Sequence, residues 1–297
     1  MTNIQFTGIM PALVTPFDLN GKVKENSVRN IMDWHLDSGV QGFYICGSTG
    51  EGPSLPPKTR MEMAEIAVDH AKGRGVVIDH IGASNIWDAI ALTEHATKMG
   101  VDAISSLAPS YTVKYPEQEL VDYYRRISDH TDKPVIVYAT PALGVADFSG
   151  LMTKLLEIPN VIGVKFTIRD YFEMRKTKEV NGGNVNLING PDETLLCGLV
   201  MGADGGIGTT YNLMPDWYVE LYNAYKRGDM ETALMYQTKV NHVTDVLIKF
   251  KGAIRATKAA LELKGYDIGN ACFPARAYTE DELKWFKTEL EKLGINF

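Results

Sequence analysis

Three short segments of this chain place groups capable of covalent or proton-transfer chemistry beside flexible backbone. They are Gly47-Ser48-Thr49-Gly50-Glu51, Tyr138-Ala139-Thr140-Pro141 and Gly163-Val164-Lys165-Phe166-Thr167. Side chains alternate along an extended strand, so Gly163, Lys165 and Thr167 share one face while Val164 and Phe166 share the other. If the apolar pair packs against helices, Lys165 is turned into the sheet's enclosed side, where an ammonium is costly to bury without a partner. Two readings follow: an ion pair that satisfies the charge, or a nucleophile, since desolvation lowers a lysine pKa from ~10.4 and leaves an amine able to attack a carbonyl.

The same alternation turns Ile136 and Tyr138 inward and Val135 and Val137 outward. Tyr138 then stands on the strand next to that of Lys165, either as core filler with a bonded hydroxyl or as the group that moves the proton in a C–C cleavage. The loop from Gly47 to Gly50 is either an ordinary turn or a nest of N–H groups and hydroxyls suited to a carboxylate. A Gly-rich segment, residues 202–208, could cradle a phosphate, but no Lys or Arg accompanies it. Close backbone packing, with Thr209 and Thr210 facing the site, is the preferred expectation there.

These residues need a scaffold that brings distant strand ends together. Short apolar runs at residues 9–15, 42–46, 76–81, 103–107, 134–138, 161–167, 185–189 and 205–208 alternate with amphipathic stretches such as 58–71 and 116–127. Eight such units predict an α/β fold, a parallel (β/α)8 barrel over residues 1–227, and the missing GxGxxG after the first run disfavours a doubly wound sheet. In such a barrel the active site lies at the C-terminal ends of the strands. Beyond Arg227 the pattern becomes helical only, with helices expected at 230–249, 252–263 and 280–293, giving a three-helix C-terminal extension over 228–297. Its apolar face, with Ala233, Tyr236, Val240, Val243, Val246 and Leu247, must pack on the barrel wall or on a neighbouring subunit.

Composition narrows the partners. With 297 residues, 45% hydrophobic and 23% charged, the chain is long enough and apolar enough to bury a core. Thirty basic against 37 acidic residues give a net charge of −7, which argues against nucleic acid or an anionic membrane as partner. The opening residues lack a basic and then apolar leader, and no run of ~18 apolar residues occurs, so the cytoplasm is the expected location. Cys46, Cys197 and Cys272 are widely spaced and odd in number, which predicts buried free thiols. Six histidines without ligand spacing predict no metal site.

In their order and spacing, the Gly47–Glu51 loop, the Tyr138-x-x-Pro141 turn and the Gly163–Thr167 segment resemble the N-acetylneuraminate lyase and dihydrodipicolinate synthase superfamily. The resemblance runs from Gly8 into the C-terminal helices. It implies a class I aldolase barrel, a homotetramer, and no metal or organic cofactor. Carried over by position, Lys165 would form an imine with a 2-oxo acid, Tyr138 would transfer the proton, and Ser48 and Thr49 would hold the pyruvoyl carboxylate. Tyr111 is similar to a tyrosine supplied across a subunit contact.

Pro141-Ala142-Leu143-Gly144-Val145 is similar to the lyase branch, whereas the synthases generally place an arginine there. The resemblance also implies that Thr167, Gly190, Asp192, Glu193 and Thr209 contact the polyhydroxy tail of a sugar acid. Asp192 and Glu193 could alternatively complement the dipole of the following helix. Ala139-Thr140, Pro191 and Thr209 depart from the usual lyase residues and alter the pocket wall. The expected activity is cleavage of N-acetylneuraminate to pyruvate and N-acetylmannosamine. The alternatives are a pyruvate-dependent aldolase or dehydratase acting on another 2-keto-3-deoxy sugar acid, and a silent sugar-acid-binding protein.

Overall fold

The computed structural model describes residues 5–109, 114–272 and 274–297. Among them run eight parallel strands: β1 (Gly8–Pro11), β2 (Gly42–Ile45), β3 (Val76–His80), β4 (Ala103–Ser106), β5 (Val135–Ala139), β6 (Val161–Phe166), β7 (Asn186–Asn189) and β8 (Gly205–Gly208). Between and after them come α1 (Glu25–Asp37), α2 (Pro57–Ala71), α3 (Ile86–Met99), α4 (Glu117–Ser128), α5 (Phe148–Leu155), α6 (Tyr171–Glu179), α7 (Leu195–Val200) and α8 (Pro215–Lys226). Three further helices follow: α9 (Met230–Lys249), α10 (Ala253–Leu263) and α11 (Glu280–Lys292).

Strands pair in the order β1-β8-β7-β6-β5-β4-β3-β2. The ring is closed between β1 and β2 by a bridge of Ala12 with Tyr44, in which Leu13 N donates to Tyr44 O at 2.8 Å, and by Gln41 N donating to Ile9 O at 2.9 Å. This is the expected (β/α)8 barrel. Its first strand is shorter than the expected 9–15, because residues beyond Ala12 turn out of the barrel toward the C-terminal extension, with Phe17 N bonded to Ile268 O.

Alternation along the strands sorts the core into two layers. Met10, Tyr44, Ile78, Ala103, Ile136, Ile188 and Ile207 fill the barrel interior, and Phe6 plugs its lower end through paired hydrogen bonds with the Asn186 amide. Val135, Val137, Val164 and Phe166 face the helices, as the pattern predicts. Crowding at the strand crossings selects glycine: a Cβ on Gly163 would lie 2.0 Å from Asn186 O, and one on Gly205 would lie 2.2 Å from Gly8 O. The Gly-rich eighth unit is therefore a packing device.

Local signals bound the helices. The Asn85 side chain accepts from Asp88 N at the start of α3, Gly100 ends it at φ 86°, and Thr279 with Glu282 forms a capping box on α11. The C-terminal helices pack on the barrel wall of their own chain: α9 lies along α8, burying Ala233, Val240, Val243 and Leu247. Phe250, just past α9, stacks on Phe286 of α11 at 3.9 Å between ring centres. No helix among the described residues is long and apolar enough to cross a membrane.

Candidate active site

Lys165 rises from β6 into the barrel interior and is 5% exposed. No carboxylate among the described residues lies within ion-pair distance of it. Two aromatic faces flank its Nζ instead: the Tyr44 ring at 4.4 Å and the Tyr138 ring at 4.2 Å. Tyr138 is the register partner of Lys165 on β5, so the parallel ladder itself sets the pair side by side. Of the two sequence readings, the ion pair is absent among the described residues.

Burial alone would raise the pKa of the Tyr138 phenol, yet the Lys165 charge and the nearby Ser48, Lys165 and Thr167 polar groups outweigh it and lower the pKa below the ordinary value. Tyr44 sits deeper, hydrogen-bonded to Ser105 Oγ at 3.1 Å, and burial raises its pKa well above the ordinary range. His80 from β3 packs edge-on against Tyr138 at 5.8 Å. Its Nε2 accepts from Leu107 N, so the proton belongs on Nδ1, which faces Cys46 O at 3.2 Å. Burial, with the Arg60 and Lys165 charges, pushes its pKa down to about 3, so the ring is neutral.

At the mouth of the barrel, Ser48 is exposed and Thr49 is buried, and Thr49 Oγ1 bonds Thr209 Oγ1 at 2.7 Å, linking the loops after β2 and β8. Gly190 lets the loops after β6 and β7 close: a Cβ there would meet Thr167 Oγ1 at 2.1 Å. The hydroxyls of Thr140 and Thr167 are buried and without hydrogen-bond partners among the described residues. Such groups, on residues just past the ends of β5 and β6, are available to a ligand.

Asp192 turns toward the eighth unit, not along the axis of α7. Its Oδ2 accepts from Thr210 N at 2.6 Å and from Thr210 Oγ1 at 2.7 Å. Burial nevertheless raises its pKa to about 6 against those hydrogen bonds. This corrects one expectation: Thr210 is fully buried between Asp192 and Tyr218, and only Thr209 reaches the site. Glu193 pairs with Arg169 at the more exposed rim. Tyr111 lies outside the described residues. Of the three thiols only Cys46 is buried, while Cys197 is exposed and Cys272 is intermediate, which corrects the expectation of three buried ones.

Several residues that support the site escaped sequence reasoning. Tyr44 was open to it, since alternation from Gly42 turns it inward. Gln237 and Asn241 of α9 hold the backbone carbonyls of Asp192 and Glu193 at 3.2 and 3.0 Å, one helical turn apart on the same face, but nothing local signals that contact.

The dihydrodipicolinate synthetase family pattern matches residues 5–293. The chain belongs to that family. Among its curated relatives, the N-acetylneuraminate lyase of Escherichia fergusonii is 37% identical over 262 residues, covering 88% of this chain and 86% of the relative. Among solved structures, Proteus mirabilis N-acetylneuraminate lyase superimposes with a TM-score of 0.93 at 28% identity, covering 99% of this chain and all of that one. A Ruminococcus gnavus sialic acid aldolase, solved as a catalytic lysine mutant, gives a TM-score of 0.90 at 28% identity, covering 97% of this chain and 95% of that one. Family membership thus agrees with the barrel, and these three relatives carry the names N-acetylneuraminate lyase or sialic acid aldolase.

Proposed function

We propose that this protein is a carbon–carbon lyase, a Schiff-base aldolase that cleaves N-acetylneuraminate to pyruvate and N-acetylmannosamine. The observation that carries the reading is a buried lysine flanked by two tyrosine rings, with no carboxylate at ion-pair distance among the described residues, at the C-terminal end of a barrel strand. An ammonium held for structure would be paired. The names of the relatives support the sugar acid as substrate.

In this reading Lys165 attacks the C2 carbonyl of the open-chain sugar acid, and loss of water gives an imine, whose protonated form is the electron sink. Ser48, Thr49 and their loop amides hold the substrate carboxylate. Tyr138 accepts the C4 hydroxyl proton as the C3–C4 bond breaks. Its lowered pKa suits that task better than an ordinary phenol's ~10. The enamine left on Lys165 is protonated at C3, and hydrolysis releases pyruvate and regenerates the amine. Thr167, Gly190, Asp192, Glu193 and Thr209 line the side on which the polyol tail lies, and Tyr111, outside the described residues, keeps the cross-subunit role in a homotetramer that the resemblance implies. No metal or organic cofactor enters these steps. The three free thiols suit a reducing compartment, and the cytoplasm is the location we assign.

The test is reduction of a pyruvate–enzyme mixture with borohydride, followed by intact mass and peptide mapping. Covalent addition at Lys165 is expected, with loss of the adduct in Lys165→Arg, whose guanidinium cannot act as the nucleophile. An unchanged mass overturns the imine. A screen of 2-oxo sugar acids for released pyruvate then tests the substrate, and preference for a six-carbon acid overturns N-acetylneuraminate.

A further inference from the structure

The loop that follows β2 is bracketed by two non-glycine residues with left-handed backbone, Cys46 at φ 55° and Glu51 at φ 57°. Such conformations persist only where the surroundings over-determine them. Inside the bracket, Glu51 N donates to Ser48 O, Gly52 N donates to Gly47 O, and Gly50 O accepts from Thr15 Oγ1 at 2.7 Å.

The Glu51 side chain points away from the substrate cup toward the C-terminal extension. Its Oε1 accepts from Lys258 Nζ at 2.9 Å, and its Oε2 accepts from Cys272 N at 2.6 Å. Lys258 belongs to α10 and its side chain is 1% exposed. Its Nζ also donates to Thr15 O at 3.1 Å and to Asn270 O at 2.9 Å, and it sits over the Phe17 ring at 3.8 Å. An ammonium has three protons, and here each has an acceptor: one on the segment after β1, one on the loop after β2 and one on the segment after α10. The other buried lysine, Lys165, has no such set among the described residues. Lys258 is thus committed to holding, while Lys165 has no carboxylate partner among the described residues.

We infer that the Glu51–Lys258 pair positions the Ser48-Thr49 loop for the carboxylate of the 2-oxo acid, making the C-terminal extension a working part of the pyruvate side of the site. The inference rests on the aldolase reading above. Breaking the pair releases the loop's left-handed ends, and the hydroxyls and amides on the loop lose their fixed aim. Neither residue touches the reacting atoms. On the polyol side the segment after β7 has its own anchors, Gln237 and Asn241, and the Thr49–Thr209 hydroxyl contact is the link from the Ser48-Thr49 loop to the unit after β8. Damage to the pair should therefore show on one substrate and spare the other.

The experiment uses Glu51→Gln and Lys258→Met, singly and together, in the full chain. Condensation of pyruvate with N-acetylmannosamine gives a separate KM for each substrate, and borohydride trapping gives the pyruvate concentration for half-maximal labelling. Each single variant is expected to raise both pyruvate values by about 10-fold or more, the scale of one charge-assisted hydrogen bond. The N-acetylmannosamine KM should stay within about twofold, and the double variant should be no worse than Lys258→Met, as for two residues acting as one unit. A purely structural role would lower the melting temperature without separating the two KM values. Equal changes in both, or wild-type pyruvate affinity in the variants, overturns the inference. Glu51→Gln keeps the side chain's shape and decides the matter if Lys258→Met does not fold. If the wild type itself fails to trap pyruvate, the aldolase reading falls first; if it traps and Glu51→Gln traps at the same concentration, only this inference falls.

Discussion

Tyr138 and Lys165 are register partners on neighbouring parallel strands, with Lys165 Nζ 4.2 Å from the centre of the Tyr138 ring. The backbone ladder sets their spacing. A positive charge so close also draws down the phenol's pKa against the effect of its burial. The two residues proposed for covalent chemistry and proton transfer thus stand within one pair of strands.

Tyr138→Phe retains the ring that packs against His80 and Lys165 and removes only the hydroxyl. It should lower kcat by ~10²-fold or more while pyruvate trapping at Lys165 continues. Steady-state kinetics beside single-turnover trapping checks this. A near-normal kcat would make Tyr138 a packing residue.

Asp192 carries a pKa raised to about 6, with burial as the first cause. It is ionised above that value and takes a proton as the pH falls through it, which converts an acceptor of hydroxyl protons into a donor. For the nine-carbon acid, kcat/KM should therefore decline below about pH 6. Asp192→Asn should abolish that acid limb and lower kcat/KM at pH 7 by ~10- to 150-fold, the scale of one charged hydrogen bond. The pyruvate concentration for half-maximal trapping should follow neither change.

Glu193 stands at the rim in its pair with Arg169 and is the second carboxylate proposed to face the tail. Glu193→Ala should reduce kcat/KM for the nine-carbon acid more than for a six-carbon 2-keto-3-deoxy acid, with imine formation intact. Equal effects on both acids would confine Glu193 to holding its loop.

His35 is fully buried, its Nε2 facing Asn212 O at 3.0 Å, and burial pushes its pKa down to about 4. Between pH 6.5 and 4 the unfolded chain binds a proton at this residue that the folded chain refuses, so stability is complete above the unfolded value and is lost as the pH falls. His35→Gln keeps an N–H for the Asn212 carbonyl. Urea unfolding should show wild type losing up to about 3 kcal/mol relative to the variant between pH 6.5 and 4. A pH-independent difference would place the titration elsewhere.

Gly163 has no room for a methyl group, since its Cβ would fall 2.0 Å from the Asn186 carbonyl oxygen. Gly163→Ala must shift β6 away from β7, and β6 carries Lys165 two residues on. A loss of about 1–3 kcal/mol is expected from such overpacking, with slower pyruvate trapping. Thermal denaturation and trapping rates measured together would separate this from a harmless surface change.

The inward direction of Lys165 and Tyr138 was legible because a strand has a period of two, and Val164, Phe166, Val135 and Val137 mark the opposite face. The eight strands were legible for the same local reason, to within a few residues at their ends. Thr210 departs from the expectation that it faces the site with Thr209: adjacent side chains diverge, and the short turn after β8 sends the Thr210 hydroxyl to Asp192 and Tyr218. Burial of Cys197 was misread because the short helix α7 sets that residue on its outward face.

Sequence by itself determined which residue types stand at the strand ends, since periodicity and motif spacing are local properties of the chain. Only the tertiary structure decided which of the two lysines buried among the described residues has a carboxylate partner there. Lys258 meets Glu51 across 207 positions, and Lys165 meets two aromatic rings from β2 and β5. Closure of the barrel and docking of α10 choose those neighbours, and the neighbours govern the charge chemistry because desolvation, hydrogen bonds and nearby ions act through distances of a few ångströms.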